Sequence, residues 1–264
     1  MDLDARLRAH AELTERLKSL SDDQLASVGA EVPVTWTAWA GHRRGVVGEY
    51  TIFMKRIPLT ERELARPGST RNVFDLPDYY NYGVGSAGFG AYREHQAHQV
   101  ASELVLSGAT PGFPLLHHHR VIPRLEVPPP FPIEHGRYLA MWNNSTAVAE
   151  YMTARLLATH EPWLVAEHIP HSVLRWHPEN LDRTPDLLRE LRQAAAALND
   201  AGVLHFDASC GNAITDGERF YLCDFGLALS SHFELSGRER DFHRAHGNYD
   251  QAELKGPAPD YEAV

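Results

Sequence analysis

Leu3, Leu7, Leu13, Leu17 and Leu20 recur at helical spacing among charged residues, which predicts an N-terminal helix with one apolar stripe. Further on, Val34, Trp36 and Ala38 alternate with polar neighbours, as do Tyr50, Ile52 and Met54. Turn signals stand at Gly41, Gly45 and Gly48, so this region reads as two or three strands. The polar, Pro-containing stretch from Thr60 to Pro77 reads as an exposed loop. A second helix is predicted from about Ala91 to Leu106, with Phe89, Ala97, Val100, Ala101, Leu104 and Val105 on its buried side. GFPLLHHHRVIP reads as a strand. The consecutive prolines of VPPPFP, which cannot donate to a ladder, mark an irregular connection. RYLAMW and WLVAEHIP are two further apolar runs around a helical stretch at Ala147 to Leu157. Thr184-Pro185 has the form of an N-cap followed by proline at the first helical position, and the helix runs to a glycine stop at Gly202. Two short apolar runs, VLHF and FYLCDF, come after it. Strands dominate early and helices late, which predicts an α+β fold with a sheet-rich part joined to a helical part.

Composition narrows the partners rather than the fold. A chain of 264 residues, 43% of them hydrophobic, can bury a substantial core. A net charge of -10 supplies no global field toward phosphate backbones or anionic membranes, so neither nucleic acid nor a membrane is expected as a partner. The N-terminus lacks the uninterrupted apolar run of a signal peptide or membrane span, which makes a cytoplasmic location the expectation. Two cysteines, Cys210 and Cys223, are too few for a disulfide framework and are expected to be reduced.

Chemistry concentrates in one segment. Residues His205 to Asn212 match HxDxxxxN, and Asp224-Phe225-Gly226 follows with Asp224 seventeen positions after Asp207. In that order, after a long helix ending in glycine, these residues resemble the catalytic and metal-binding loops of the protein-kinase-like superfamily. The resemblance implies a bilobal protein-kinase-like fold, with a small antiparallel-sheet N-lobe carrying one key helix and a shortened helical C-lobe. The corresponding divisions are a helical extension (1–30), an N-lobe with insertions (31–169) and a short catalytic C-lobe (170–264). It implies ATP and Mg2+ as cofactors and a hydroxyl as phosphate acceptor. Asp207 would orient that hydroxyl and take its proton, while Asn212 and Asp224 offer hard oxygen ligands to magnesium.

By the same resemblance Lys55, in the apolar strand TIFMKRI, would hold the ATP phosphates and pair with a helix glutamate. Glu94 and Glu103 are both candidates. They lie about half a turn out of phase, and Glu94 is nearer the centre of the buried stripe, so Glu94 is assigned. WLVAEHIP resembles the strand whose main chain reads the adenine, from Glu167 to Ile169.

Several features depart from the pattern. Before Lys55 stand only Gly41-His42-Arg43-Arg44-Gly45 and Gly48. A formal GxGxxG occurs later, at Gly83 to Gly88, where it reads as a flexible lead-in to the Ala91 helix whose backbone amides are placed to approach a phosphate. Phe206 replaces the arginine expected before the catalytic aspartate, so no arginine-read activation-loop phosphate is expected. The tail after Gly226 contains no APE-like element, which implies that the substrate-docking helices of large protein kinases are absent. This brevity resembles RIO-type enzymes and the small kinase of the KEOPS tRNA-modification complex, and Gly211-Asn212 is shared with aminoglycoside phosphotransferases. The acceptor is therefore expected to be a protein Ser/Thr hydroxyl or a small molecule, with a nucleotide-binding scaffold as the non-catalytic alternative. His117, His118 and His119 invite a metal reading, but adjacent strand residues face opposite sides and cannot all chelate one ion.

Overall fold

The N-terminal leucines form helix α1 (Leu3–Ser19), begun by the Asp2 carboxylate, which accepts a hydrogen bond from the Ala5 amide. The structure is a computed structural model that describes residues 2–37, 40–82, 85–126 and 133–254. Ala38, Gly83 and Val84, and the prolines of VPPPFP, lie outside the described residues. Leu13 and Leu17 pack on a sheet, whereas Leu3 and Leu7 pack on the helical core, so α1 touches both layers. Arg120 donates to the carbonyls of Leu17 and Leu20 and closes its C-terminal end. A shorter helix, α2 (Asp22–Ser27), carries a complete Ser21–Gln24 capping box.

Strands β1 (Thr35–Trp36), β2 (Gly41–Val47), β3 (Tyr50–Arg56), β4 (Leu116–Pro123) and β5 (His160–Glu167) form one antiparallel sheet in the order β1-β2-β3-β5-β4. The glycines from Gly41 to Gly48 therefore belong to a strand and its hairpin turn. Gly48, at φ +63°, sits in that turn. Lys55 pairs in register with His42 on one side and Leu164 on the other, which places it in the middle of the sheet.

The stretch from Thr60 to Pro77 is not an exposed loop. Thr60 and Glu63 form a capping box that opens helix α3 (Glu61–Leu64), and Phe74 and Leu76 are buried. After α4 (Ala91–Leu106), the run RYLAMW is helical. It lies in α5 (His135–Met141), where the Glu134 side chain accepts from the Gly136 and Arg137 amides. Tyr138 and Trp142 from this region, with Val148 and Tyr151 of α6 (Thr146–Leu156), bury Phe74, Leu76 and Tyr80 in a separate apolar cluster. These partners are remote in sequence, so no local periodicity marks the stretch as buried.

The helical layer is built on α8 (Thr184–Asp200), after β6 (His171–Ser172) and α7 (Val173–Trp176). Leu187, Leu191, Ala194, Ala195 and Leu198 form its buried stripe and belong to the same core as Ala97, Ala101 and Val105 of α4. Thr184 is the first helical residue rather than the cap, and its hydroxyl donates to the Leu181 carbonyl. Gly202, at φ +78°, follows the end of the helix as predicted. Strands β7 (Val203–Leu204), β8 (Ala213–Thr215), β9 (Phe220–Leu222) and β10 (Leu229–Ser230) form two small sheets, β10-β7 and β6-β8-β9. They frame the loops 205–212 and 223–228.

The tail is not bare. Helices α9 (Gly237–Ala245) and α10 (Tyr249–Glu253) fold back, and Phe242 and Tyr249 pack on Phe206. Cys210 and Cys223 are free thiols, and no helix among the described residues is long and apolar enough to cross a membrane.

Candidate active site

Lys55 reaches from β3 into the space between the sheet and the helical layer. Its Nζ lies 2.6 Å from Glu94 Oε1 and 2.8 Å from Asp224 Oδ1, joining three segments remote in sequence. Glu94 is buried, whereas Glu103 is exposed on the other side of α4. Burial alone would favour a neutral lysine, but the charges of Asp224 and Glu94 outweigh it and hold Lys55 protonated above its ordinary range. Burial raises Asp224 as well, yet the Lys55 charge overrides that effect and keeps Asp224 ionised well below the usual carboxylate range. Glu94 moves the other way, pushed up by burial and by Asp224 against the pull of Lys55. With 46% of its side chain open, Asp224 lines both cavities of the cleft.

Two loops are pinned to place Asp207 beside this cluster. The His205 ring donates from Nε2 to the Cys223 carbonyl at 3.1 Å, and its Nδ1 accepts from the Asp207 amide at 3.3 Å. Asp250, fully buried in α10, accepts from the His205 and Phe206 amides at 2.7 and 2.9 Å and from Asn199 at 2.7 Å. Phe206 and Asp224 both adopt φ +64°, a left-handed conformation that costs free energy outside glycine and is maintained here by these surrounding bonds. Phe225 is buried against His98, His205 and Phe113, which aims Asp224 into the cleft. The Asn212 side-chain Nδ2 donates to the Asp207 main-chain carbonyl at 3.0 Å. Burial and the nearby Asp224 raise the Asp207 carboxyl above its ordinary range, against the Asn212 hydrogen bond.

Two cavities meet at Lys55 and Asp224. One, of about 700 Å³, is lined by Phe53, Glu167, Ile169, Asn212 and Ile214 among others. The other, of about 460 Å³, is lined by Asp207, Tyr249, Arg155, Thr37, Ala40 and the segment Gly85 to Gly88. Thr37 and Ala40, between β1 and β2, border Lys55 in the smaller cavity, and His42, Arg43 and Arg44 of β2 border it in the larger one. Gly88 packs so closely on Gly226 that an added Cβ would fall 2.0 Å from the Gly226 carbonyl oxygen. The Ala87 amide donates to the Tyr80 hydroxyl and the Gly88 amide to Ser86 Oγ, so these two amides serve the fold rather than a phosphate.

Glu167 and Ile169 both line the larger cavity, but the Glu167 side chain is taken by α1. Arg6 donates to both of its carboxylate oxygens at 2.8 Å and to the carbonyls of Pro111 and Phe113. The Glu167 amide is committed to the Leu115 carbonyl. Sequence spacing revealed neither Arg6 nor Asp250, whose partners are far along the chain. The capping box at Thr60-x-x-Glu63 was a readable signal, and Glu63 also accepts from the first amide of α4, Ala91, at 2.8 Å.

The three strand histidines do not converge. His117 is buried beside His10, His118 is half-buried and His119 lies against His95 with the rings tilted. Among the described residues no group of three or more His, Cys, Asp or Glu side chains is placed to hold a metal ion. No family model matches the chain. Forty-five residues, 17% of the chain, are 42% identical to part of a probable bifunctional tRNA threonylcarbamoyladenosine biosynthesis protein from Methanosarcina barkeri (strain Fusaro / DSM 804), and the match spans 8% of that protein's length.

Proposed function

We propose that this chain is a phosphotransferase of protein-kinase-like, bilobal architecture that moves the γ-phosphoryl group of ATP to a hydroxyl. The observation that carries the proposal is the meeting of Lys55, Glu94 and Asp224 within 2.8 Å, at the junction of two cavities, with Asp207 lining the smaller one. Phosphoryl transfer asks the protein chiefly to position reactants and to neutralise charge. Lys55, held protonated, is suited to phosphate oxygens, and Glu94 holds it in place. The larger cavity takes the nucleotide, with the main chain from His168 to Ile169 near the base. Asp207 accepts the proton of the acceptor hydroxyl as its oxygen bonds to phosphorus and ADP departs.

Asp224 and Asn212 are the oxygen donors available to magnesium. Two protein donors suit this ion, which keeps most of its shell as water and substrate phosphate rather than a protein cage. When bound, it supplies positive charge to the phosphates. The sequence Asp224-Phe225-Gly226-Leu227-Ala228 favours a protein Ser/Thr hydroxyl as acceptor. A small hydroxylated molecule is the second reading, favoured by the walls that Gly85 to Gly88, Arg155 and Tyr249 give the cavity in front of Asp207. The 45-residue likeness to a tRNA-modification protein is local, and the proposal stands on the cleft.

Incubation with γ-labelled ATP and magnesium is expected to label the protein itself, an added protein or a small hydroxyl compound. Label should be lost in Asp207→Ala and Asp224→Ala. ATP binding without any transfer would instead make the chain a nucleotide-binding scaffold.

A further inference from the structure

Arg93 and Glu94 are adjacent in the first turn of α4, and each has a separate counter-charge. Glu94 meets Lys55 in the cleft. Arg93 turns away and meets Glu239 of α9, with Nη2 2.6 Å from Glu239 Oε1 and both side chains no more than 5% exposed. Arg93 Nε also donates to the Thr70 carbonyl at 2.6 Å, and its guanidinium lies 5.3 and 5.4 Å from the ring centroids of Phe89 and Phe233.

Glu239 is itself fixed. It is the third residue of α9, its Oε2 accepts from the Ser236 amide, and its own amide donates to Ser236 Oγ. Thr70 belongs to the same assembly, because its hydroxyl accepts from the Glu234 amide at 2.8 Å. Burial alone would raise the Glu239 carboxyl, but Arg93 and the Ser236 amide keep it below its ordinary range and therefore charged at neutral pH.

We propose that Glu239 is a positioning residue for the cleft: through Arg93 it ties the first turn of α4 to the segment after Gly226 and thereby holds Glu94 against Lys55. A helical turn is stiff, so restraint on Arg93 is restraint on Glu94. The carboxylate is a permanent charge, and Arg93 needs no added phosphate to find its anion. The site is thus assembled in the unmodified chain. The kinetic part of this proposal rests on the phosphotransfer reading, whereas the geometric part does not.

Two substitutions in the full chain separate positioning from general stability. Glu239→Gln keeps the size and the capping acceptor but removes the charge that holds Arg93. Ser236→Ala removes the cap and keeps that charge. Amide hydrogen exchange over residues 91–98 is measured without nucleotide, and kcat and KM for ATP with it. Glu239→Gln is expected to speed exchange there by about 10-fold or more and to lower kcat by a similar factor, with KM changed less, in keeping with loss of a charged hydrogen bond. Ser236→Ala should lower Tm and leave exchange over 91–98 and kcat near wild type.

Unchanged exchange in Glu239→Gln, or equal effects of the two substitutions on residues 91–98, overturns the proposal. If Glu239→Gln does not fold, Glu239→Asp decides, since it keeps the charge and falls one methylene short of Arg93. Faster exchange over 91–98 in that variant supports the tie, and wild-type exchange refutes it. A wild-type chain that transfers no phosphate would overturn the phosphotransfer reading alone, because the exchange measurement needs no turnover.

Discussion

The two ion pairs of the first turn of α4 have the same length and opposite characters. Arg93–Glu239 is sealed and balanced one to one, with Arg93 Nε also donating to the Thr70 carbonyl and the Ser236 amide donating to Glu239. Lys55 instead faces two carboxylates, and one of them, Asp224, opens onto a cavity. A balanced, closed pair has no open edge through which a ligand can reach it and serves as structure. An unbalanced cluster with an open edge retains negative charge that a cation can meet, while its lysine can meet an anion. Closure and charge balance, rather than ion-pair length, distinguish the scaffold from the candidate site.

The largest effect that tests this contrast is on stability. Arg93→Leu strands a buried carboxylate and should cost about 3–5 kcal/mol in urea denaturation. Lys55→Leu should cost less, because Asp224 already faces the cleft and Glu94 already takes up a proton more readily than an ordinary glutamate. Equal costs would erase the distinction between the two pairs.

The next effect is on pH dependence. Asp207 must be ionised to accept a proton, and its carboxyl is raised above the ordinary 3.8, so kcat/KM should fall on acidification through a value above 3.8. Asp224 is depressed, so its pairing with Lys55 contributes stability that is present above the unfolded value and lost only as pH falls through its lower folded value. Activity should therefore disappear at a higher pH than this contribution to folding. An acid limb at or below the ordinary aspartate value would remove Asp207 from the role of base.

The smallest expected effect lies at the cap of α3, whose Glu63 accepts from the first amide of α4. Thr60→Ala removes the hydroxyl that caps α3 and bonds Glu63, and should cost about 1 kcal/mol in thermal unfolding. A much larger cost would show that Glu63, and through it the Ala91 amide, depends on Thr60 for its placement.

Much of the architecture was legible because its signals are short-ranged. The leucine stripe of α1, the alternation in β3, the stripe and glycine stop of α8, and the phase that turns Glu94 inward and Glu103 outward are all written within a few residues. The neighbourhood of Asp207, Asn212 and Asp224 was readable for the same reason, since one pair of short loops carries all three. Other expectations failed where packing overrode composition. Gly45 signals a turn but lies inside β2, and Thr60 to Pro77 looks polar but buries Phe74 and Leu76 under aromatic residues that come some seventy positions later.

The sequence by itself determined an α+β chain and the residue types of one chemical segment, because helix periods, strand alternation and motif spacing are local properties. Only the tertiary structure decided that Asp250 would hold the loop of Asp207, that Arg6 would take the side chain of Glu167, and that Arg93 would find Glu239, 146 positions away. Such contacts depend on which surfaces the whole chain buries together, and a charge states its need for a partner without naming it.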